Sequence, residues 1–215
     1  MKEGPRSNED SGAIADATVV FDLGGVLIDW DPRYLYRQLL PDEAAVEDFL
    51  ARICPLEWNE RQDAGRTFAD GIAERIALFP EHEPLIRAYD ERWIETLGSA
   101  FDETVSILDE LRARSPVYAL TNWSAEMWPH ATARFPFLDW FEGILVSGEE
   151  GLAKPDPRIY QLLLERFSLE KSRILFIDDN VRNVTAARGL GIDSIHYVGA
   201  KELRAELMRR GILSE

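Results

Sequence analysis

Cysteine, positive charge and long apolar runs are all scarce in this chain of 215 residues. A single cysteine, Cys54, leaves no internal disulfide to staple the fold, which fits a reducing compartment. No apolar run approaches the ~20 residues that a membrane span needs. The opening residues Met1-Lys2-Glu3-Gly4-Pro5 lead into Arg6-Ser7-Asn8-Glu9-Asp10, without the hydrophobic segment of a signal peptide. The expected setting is therefore soluble and cytoplasmic. With 24 basic against 39 acidic residues, the formal charge is −15. Nucleic acid and anionic membrane both require a positive field, so neither is an expected partner. An anionic small molecule is not excluded, because a bound cation reverses the field inside a cleft.

What is present is a sizeable apolar fraction, 46% of the residues, enough for one domain or one domain with an inserted subdomain. The chain is organised around Thr18-Val19-Val20-Phe21-Asp22-Leu23-Gly24-Gly25-Val26-Leu27. Four β-forming residues run into an aspartate, as in a buried parallel strand with both faces covered. Two glycines then let the backbone turn sharply and approach whatever Asp22 faces. In open α/β sheets, ligands bind beyond the carboxyl ends of the strands, which is where Asp22 falls.

Three later segments end in the same way. Val117-Tyr118-Ala119-Leu120 runs into Thr121-Asn122. Lys154 stands in Gly151-Leu152-Ala153-Lys154-Pro155-Asp156, and the following proline biases it to an extended conformation. Ile174-Leu175-Phe176-Ile177 runs into Asp178-Asp179-Asn180. Asp22, Asp178 and Asp179 would repel one another in one crevice unless a cation joined them, and Mg2+ suits such an all-oxygen site.

Residues 1–16 are polar and aperiodic and read as a disordered tail. From about residue 31 to 98 only helical patterns occur. Asp31-Pro32 starts one helix, and Asp42 starts another with Val46, Phe49, Leu50 and Ile53 on one face. Phe68, Ile72, Ile76 and Phe79 form a third stripe, and Leu85, Ile86, Tyr89, Trp93 and Leu97 a fourth. From Asp102, read as a helix cap, helices and strands alternate, with a helix from Ser124 disturbed by Pro129. The expectation is an α/β fold, a Rossmann-like parallel sheet flanked by helices, with an inserted all-helical cap subdomain. The core would comprise 17–30 and 99–215, the cap 31–98, and the hinges would lie near Ile28–Pro32 and Gly98–Phe101.

The ordered set Asp22, Thr121, Lys154, Asp178-Asp179 resembles the four motifs of the haloacid dehalogenase superfamily, over roughly residues 17–200. The resemblance implies attack of Asp22 on phosphorus, an aspartyl-phosphate, and hydrolysis of that intermediate by water. It implies Thr121 and Lys154 as catalytic partners, and Leu23, Gly24 and Asn122 as substrate-binding positions. Magnesium ligands would be the Asp22 carboxylate, the Gly24 carbonyl, and Asp178 or Asp179. One departure stands out: most such phosphatases carry a second aspartate two positions after the nucleophile, as general acid and base, where this chain has Gly24. Asp29 and Asp31 lie near enough in sequence to be considered for that role.

The expected activity is a Mg2+-dependent phosphatase acting on a small phosphorylated metabolite, a sugar phosphate or similar. A 2-haloacid dehalogenase using Asp22 without metal, or a catalytically weak binding protein, are the alternatives. The two acids at Asp178-Asp179 favour the metal site. Trp58, Gln62 and Arg66, in a polar interruption of the cap stripes, are expected to face the ligand together with Trp123. The chain would work as a monomer or homodimer.

Overall fold

The computed structural model describes residues 17–214; the expected disordered tail lies outside the described residues. In chain order the elements are β1 (Thr18–Phe21), β2 (Ile28–Trp30), α1 (Arg33–Tyr36), α2 (Glu43–Arg52), α3 (Leu56–Asp63), α4 (Phe68–Leu78), α5 (Glu83–Glu91) and β3 (Leu97–Ala100). There follow α6 (Asp102–Arg112), β4 (Val117–Thr121), α7 (Trp128–Arg134), β5 (Gly143–Val146), α8 (Ser147–Glu150) and α9 (Pro157–Arg166). The chain then continues through β6 (Ile174–Asp178), α10 (Val181–Gly189), β7 (Asp193–His196) and α11 (Ala200–Arg209). None of these helices is long and apolar enough to cross a membrane.

Five strands form one parallel sheet in the order β5-β4-β1-β6-β7. Alternate side chains leave each strand on opposite faces. Val19 and Phe21 of β1 pack with Val117, Ala119, Leu175 and Ile177 beneath Ile107, Leu108 and Leu111 of α6 and Leu203 and Leu207 of α11. Val20, Leu120 and Phe176 point the other way, onto Ile159, Tyr160 and Leu163 of α9 and Ala187 of α10. Both faces are thus covered, which is why these strands read as unbroken apolar runs. The order also puts the carboxyl ends of β4, β1 and β6 side by side at the centre of the sheet.

The insertion between β2 and β3 carries α1 to α5. Asp42 caps α2, accepting the Ala45 N–H at 2.9 Å, and Thr67 caps α4. The two junctions of this insertion are not plain loops. Ile28 pairs with Ala100 and Trp30 with Leu97 in a two-stranded antiparallel ribbon. Leu97, which extends the apolar stripe of α5 in sequence, belongs to that ribbon because α5 stops at Glu91 and a short 3₁₀ turn, Trp93–Thr96, follows. Strands of three and four residues, paired across some seventy positions of chain, leave no local pattern to read.

Two helix starts also differ from expectation. Asp102 is the first residue of α6 and makes no capping bond, although its charge still complements the helix dipole. Pro129 lies in the first turn of α7, where its missing N–H is not needed, so it begins a helix and does not disturb one.

The end of α3 docks on the sheet side through buried Ser147. Its hydroxyl donates to the Asp63 carbonyl at 2.5 Å and accepts the Trp123 N–H at 2.9 Å. Next to this link, Gly65, with φ +95°, lies so close to Gly151 that an added Cβ would sit 3.1 Å from its Cα. Removing the hydroxyl leaves a buried amide and a carbonyl without their partner. Ser147→Ala is expected to cost about 1–3 kcal/mol of stability, read as a lower midpoint in thermal or urea denaturation.

Candidate active site

Asp22 follows β1 directly, and its N–H still pairs with the Ile177 carbonyl of β6 at 2.8 Å. One carboxylate oxygen accepts the N–H of Leu23 at 2.7 Å, and the other lies 2.9 Å from the Lys154 ammonium. Lys154 is fully enclosed at its side chain. Its three donors go to Asp22, to Asp178 at 2.7 Å and to the Leu120 carbonyl at 2.9 Å. Burial alone would push the ammonium pKa down, but Asp178 and Asp22 outweigh it and hold the pKa above the ordinary lysine value. Lys154 therefore stays charged.

Asn122 aims that lysine. Its side-chain carbonyl accepts the Lys154 N–H at 2.8 Å and its amide donates to the Lys154 carbonyl at 2.9 Å. The expectation for Asn122 concerned its backbone N–H and the substrate; the structure adds a side-chain clamp on the Lys154 backbone. Thr121, at the end of β4, is completely buried, and its hydroxyl has no protein partner. A buried hydroxyl left without a partner is a donor held ready for something outside the protein.

Asp178 is also inaccessible. Beyond Lys154 it accepts the Asn180 N–H at 2.8 Å and the Asn183 side-chain amide at 3.1 Å. Asp22, Asp178 and Asp179 offer oxygens that all lie within 4.8 Å of one another, with Asp179 exposed. Burial raises the Asp22 pKa well above the usual range; Lys154 opposes this, and Asp178 and Asp179 add to it. Burial, then Asp178, raises Asp179 as well. Three carboxylates face one ammonium. That surplus of negative charge, on hard oxygen ligands, is the setting a magnesium ion fits.

The two glycines after Asp22 have different roles. Gly25 has φ +73°, and a side chain there would run into the Asp179 carboxylate. Gly24 has an ordinary backbone conformation, and an added Cβ would meet nothing within 4 Å. The turn and the close approach therefore need only the second glycine.

Around Asp22 opens a cavity of about 230 Å3. Trp30, Leu56, Trp93 and Trp123 supply its apolar wall, and Asn59, Glu60, Asp63, Asn122, Asp179 and Asn183 its polar one. Trp93 and Trp123 meet edge to face, their rings 5.7 Å apart. The Trp123 indole N–H is buried and has no protein partner.

The other residues expected at the ligand lie elsewhere. Trp58 is 1% exposed in the cap core, against Tyr89 at 4.9 Å and Phe68 at 6.4 Å, and its N–H donates to the Gly71 carbonyl. Gln62 is enclosed and accepts from Arg66, whose guanidinium pairs with Glu74. The polar segment does reach the site, but through Asn59, Glu60 and Asp63, one turn and one face away. Asp29 takes the Tyr34 hydroxyl at 2.6 Å and Asp31 caps α1 through the Arg33 N–H, so neither lines the cavity.

Residues 17–191 match the haloacid dehalogenase-like hydrolase family. A sesquiterpene phosphatase of Aspergillus oryzae is 29% identical over 195 residues, 87% of this chain and 93% of that protein. A haloacid dehalogenase family enzyme of Bacteroides thetaiotaomicron, solved with magnesium and inorganic phosphate, superposes with a TM-score of 0.65 at 26% identity, over 84% of this chain and 93% of that one. An L-2-haloacid dehalogenase of Xanthobacter autotrophicus shares the fold, with a TM-score of 0.60 at 17% identity over 93% and 85% of the two chains.

The glycine asymmetry is directly measurable. Gly25→Ala is expected to lose about 1–2 kcal/mol from the left-handed backbone alone, and more from the displaced Asp179. Gly24→Ala should leave the thermal midpoint within about 2 °C of the parent, since a change without strain or lost contacts stays within about ±0.5 kcal/mol.

Proposed function

The chain belongs to the haloacid dehalogenase-like hydrolases, and from that premise we propose that it is a Mg2+-dependent phosphatase of a small phosphorylated metabolite. The observation that carries this reading is the pairing of Asp22 with the enclosed Lys154 beside Asp178 and Asp179, all at one end of three adjacent strands. Asp22, the Gly24 carbonyl, Asp178 and Asp179 are the groups that would hold magnesium. When bound, the ion neutralises phosphoryl oxygens and so lets an anionic nucleophile approach an anionic substrate.

Asp22 then attacks phosphorus with one carboxylate oxygen while the ester oxygen leaves on the opposite side. Lys154 holds the nucleophile in place and offers positive charge next to the transferring group. The Thr121 hydroxyl and the Asn122 N–H are donors for phosphoryl oxygens. Water next attacks the aspartyl-phosphate, releasing inorganic phosphate and restoring Asp22.

Trp30, Leu56, Trp93 and Trp123 favour a substrate whose organic part has an apolar or flat face, which includes the isoprenoid class suggested by the sesquiterpene phosphatase as well as sugars that stack on indole rings. A 2-haloacid handled without metal would bring its carboxylate beside three others with only Lys154 to offset them, which argues against the metal-free dehalogenase alternative.

Phosphate release from p-nitrophenyl phosphate is expected to require Mg2+ and to stop with chelator. Asp22→Asn should lower kcat on the order of 10³-fold or more, as loss of a nucleophile does. Turnover that survives both chelator and Asp22→Asn would overturn the proposal. A panel of isoprenoid monophosphates and sugar phosphates then separates the two substrate classes by kcat/KM.

A further inference from the structure

The proposed phosphatase chemistry leaves one task unassigned. The leaving oxygen needs a proton and the attacking water must lose one, yet Gly24 has no side chain to handle either. The described residues that line the cavity include four titratable groups, Asp22, Glu60, Asp63 and Asp179. Asp22 and Asp179 belong to the carboxylate cluster. Glu60 lies 3.6 Å from the exposed Arg182, toward the solvent side. Asp63, the last residue of α3, remains.

Asp63 is held in a defined place. The Tyr89 hydroxyl donates to the Asn59 side-chain carbonyl at 3.1 Å, and the Asn59 amide donates to Asp63 at 3.1 Å. Tyr89 is 1% exposed and Asn59 6% exposed, so this chain runs from the cap core to the cavity wall. The Ser124 backbone N–H, from the loop after β4, lies on the sheet side of the same carboxyl group and favours its charged form. Ser147 fixes its main-chain carbonyl. Asp63 is thus tied to the insertion through its carboxyl and to the sheet side through its main chain.

We propose that Asp63, on the insertion, is the general acid and base of this site, in place of the side chain that Gly24 lacks. This rests on the phosphatase reading above. As the bond between phosphorus and the ester oxygen breaks, the Asp63 carboxyl gives its proton to that oxygen. The resulting carboxylate then takes a proton from the water whose oxygen attacks the aspartyl-phosphate. Phosphate leaves, Asp22 returns as carboxylate, and Asp63 is again protonated.

The electrostatics agree with the geometry. Burial, then Glu60 on its own helix, pushes the Asp63 pKa up to about 7, while the Ser124 N–H and Lys154 pull against this. Asp22 and Asp179 line the same cavity, and Tyr89 stands behind Asn59. A carboxyl group with its pKa near neutrality is suited to both halves of the exchange. The folded protein holds this proton between about pH 4 and 7, where the unfolded chain has released it, so Asp63 costs stability as pH rises through that window.

The test compares a good and a poor leaving group, p-nitrophenyl phosphate and phenyl phosphate, with Mg2+. For Asp63→Asn, kcat/KM on phenyl phosphate should fall about 10²–10⁴-fold, and on p-nitrophenyl phosphate by less than about tenfold, because only the poor leaving group needs the proton. The fall in phenyl phosphate turnover of the parent above about pH 7 should vanish in the variant. Gly24→Asp placed in the Asp63→Asn background has open space for its side chain and should restore part of the loss on phenyl phosphate. Thermal melting at pH 8 checks folding, where Asp63→Asn should be at least as stable as the parent. An equal loss on both substrates would make Asp63 a structural latch and overturn the inference while leaving the phosphatase reading intact. Failure of the parent protein to hydrolyse either ester would overturn both.

Discussion

An ammonium group enclosed between two carboxylates is the constraint on which this architecture depends. Lys154 is removed from water, so its charge is tolerable only because Asp22, Asp178 and the Leu120 carbonyl take up its three donors. Loss of either carboxylate would leave one donor of the buried ammonium without its partner, and loss of both would leave an uncompensated buried charge. The geometry that prevents this comes from the sheet. Because β4, β1 and β6 are neighbours, Leu120, Asp22 and Asp178 reach one point from three strands. Asn122 then locks the Lys154 backbone against the end of β4. The arrangement still leaves an excess of negative charge, and that excess is what supports the magnesium site proposed above.

The neighbourhood of Asp22 shows how one turn divides its duties. Gly25 supplies the left-handed backbone and the space for Asp179, whereas the unstrained Gly24 leaves an opening where a Cβ would stand. That opening faces a cavity whose remaining wall comes from the insertion. The bond that seats the end of α3 on the sheet side, through Ser147, also fixes the backbone of Asp63, which lines the cavity. Docking of the insertion and the placement of the proposed acid and base therefore share one contact. The short ribbon of β2 and β3 ties the two ends of the insertion together, so the insertion joins the sheet domain through a defined crossing.

The sheet was legible because its strands are buried on both faces. Continuous apolar runs such as Val117–Leu120 and Ile174–Ile177, each ending in a polar residue, reveal both the strand and the end at which ligands bind. Helical stripes in the insertion were legible for the same reason, through Val46, Phe49 and Leu50 of α2 or Ile86 and Tyr89 of α5. The β2–β3 ribbon was not, since its stability comes from a partner some seventy residues away. Trp58 misled because a tryptophan among polar neighbours has the same sequence appearance whether its ring faces a ligand or the core. Asn183 went unnoticed although it stands at an inward position of α10 beside Val184 and Ala187, where an apolar residue would be usual; that mismatch was the available signal.

The sequence by itself determined the chemical kit: a strand-end aspartate, a lysine, an acidic pair, and a glycine where the resemblance would place a second aspartate. These follow from residue type and local spacing, which the chain carries directly. Only the tertiary structure decided which neighbours each group meets. It enclosed Lys154 between Asp22 and Asp178, turned the Asn122 side chain onto the Lys154 backbone, drew Trp58 into the cap core and brought Asp63 to the cavity. Those outcomes depend on contacts between residues 13 to more than 100 positions apart, and pattern within a short window carries no information about them.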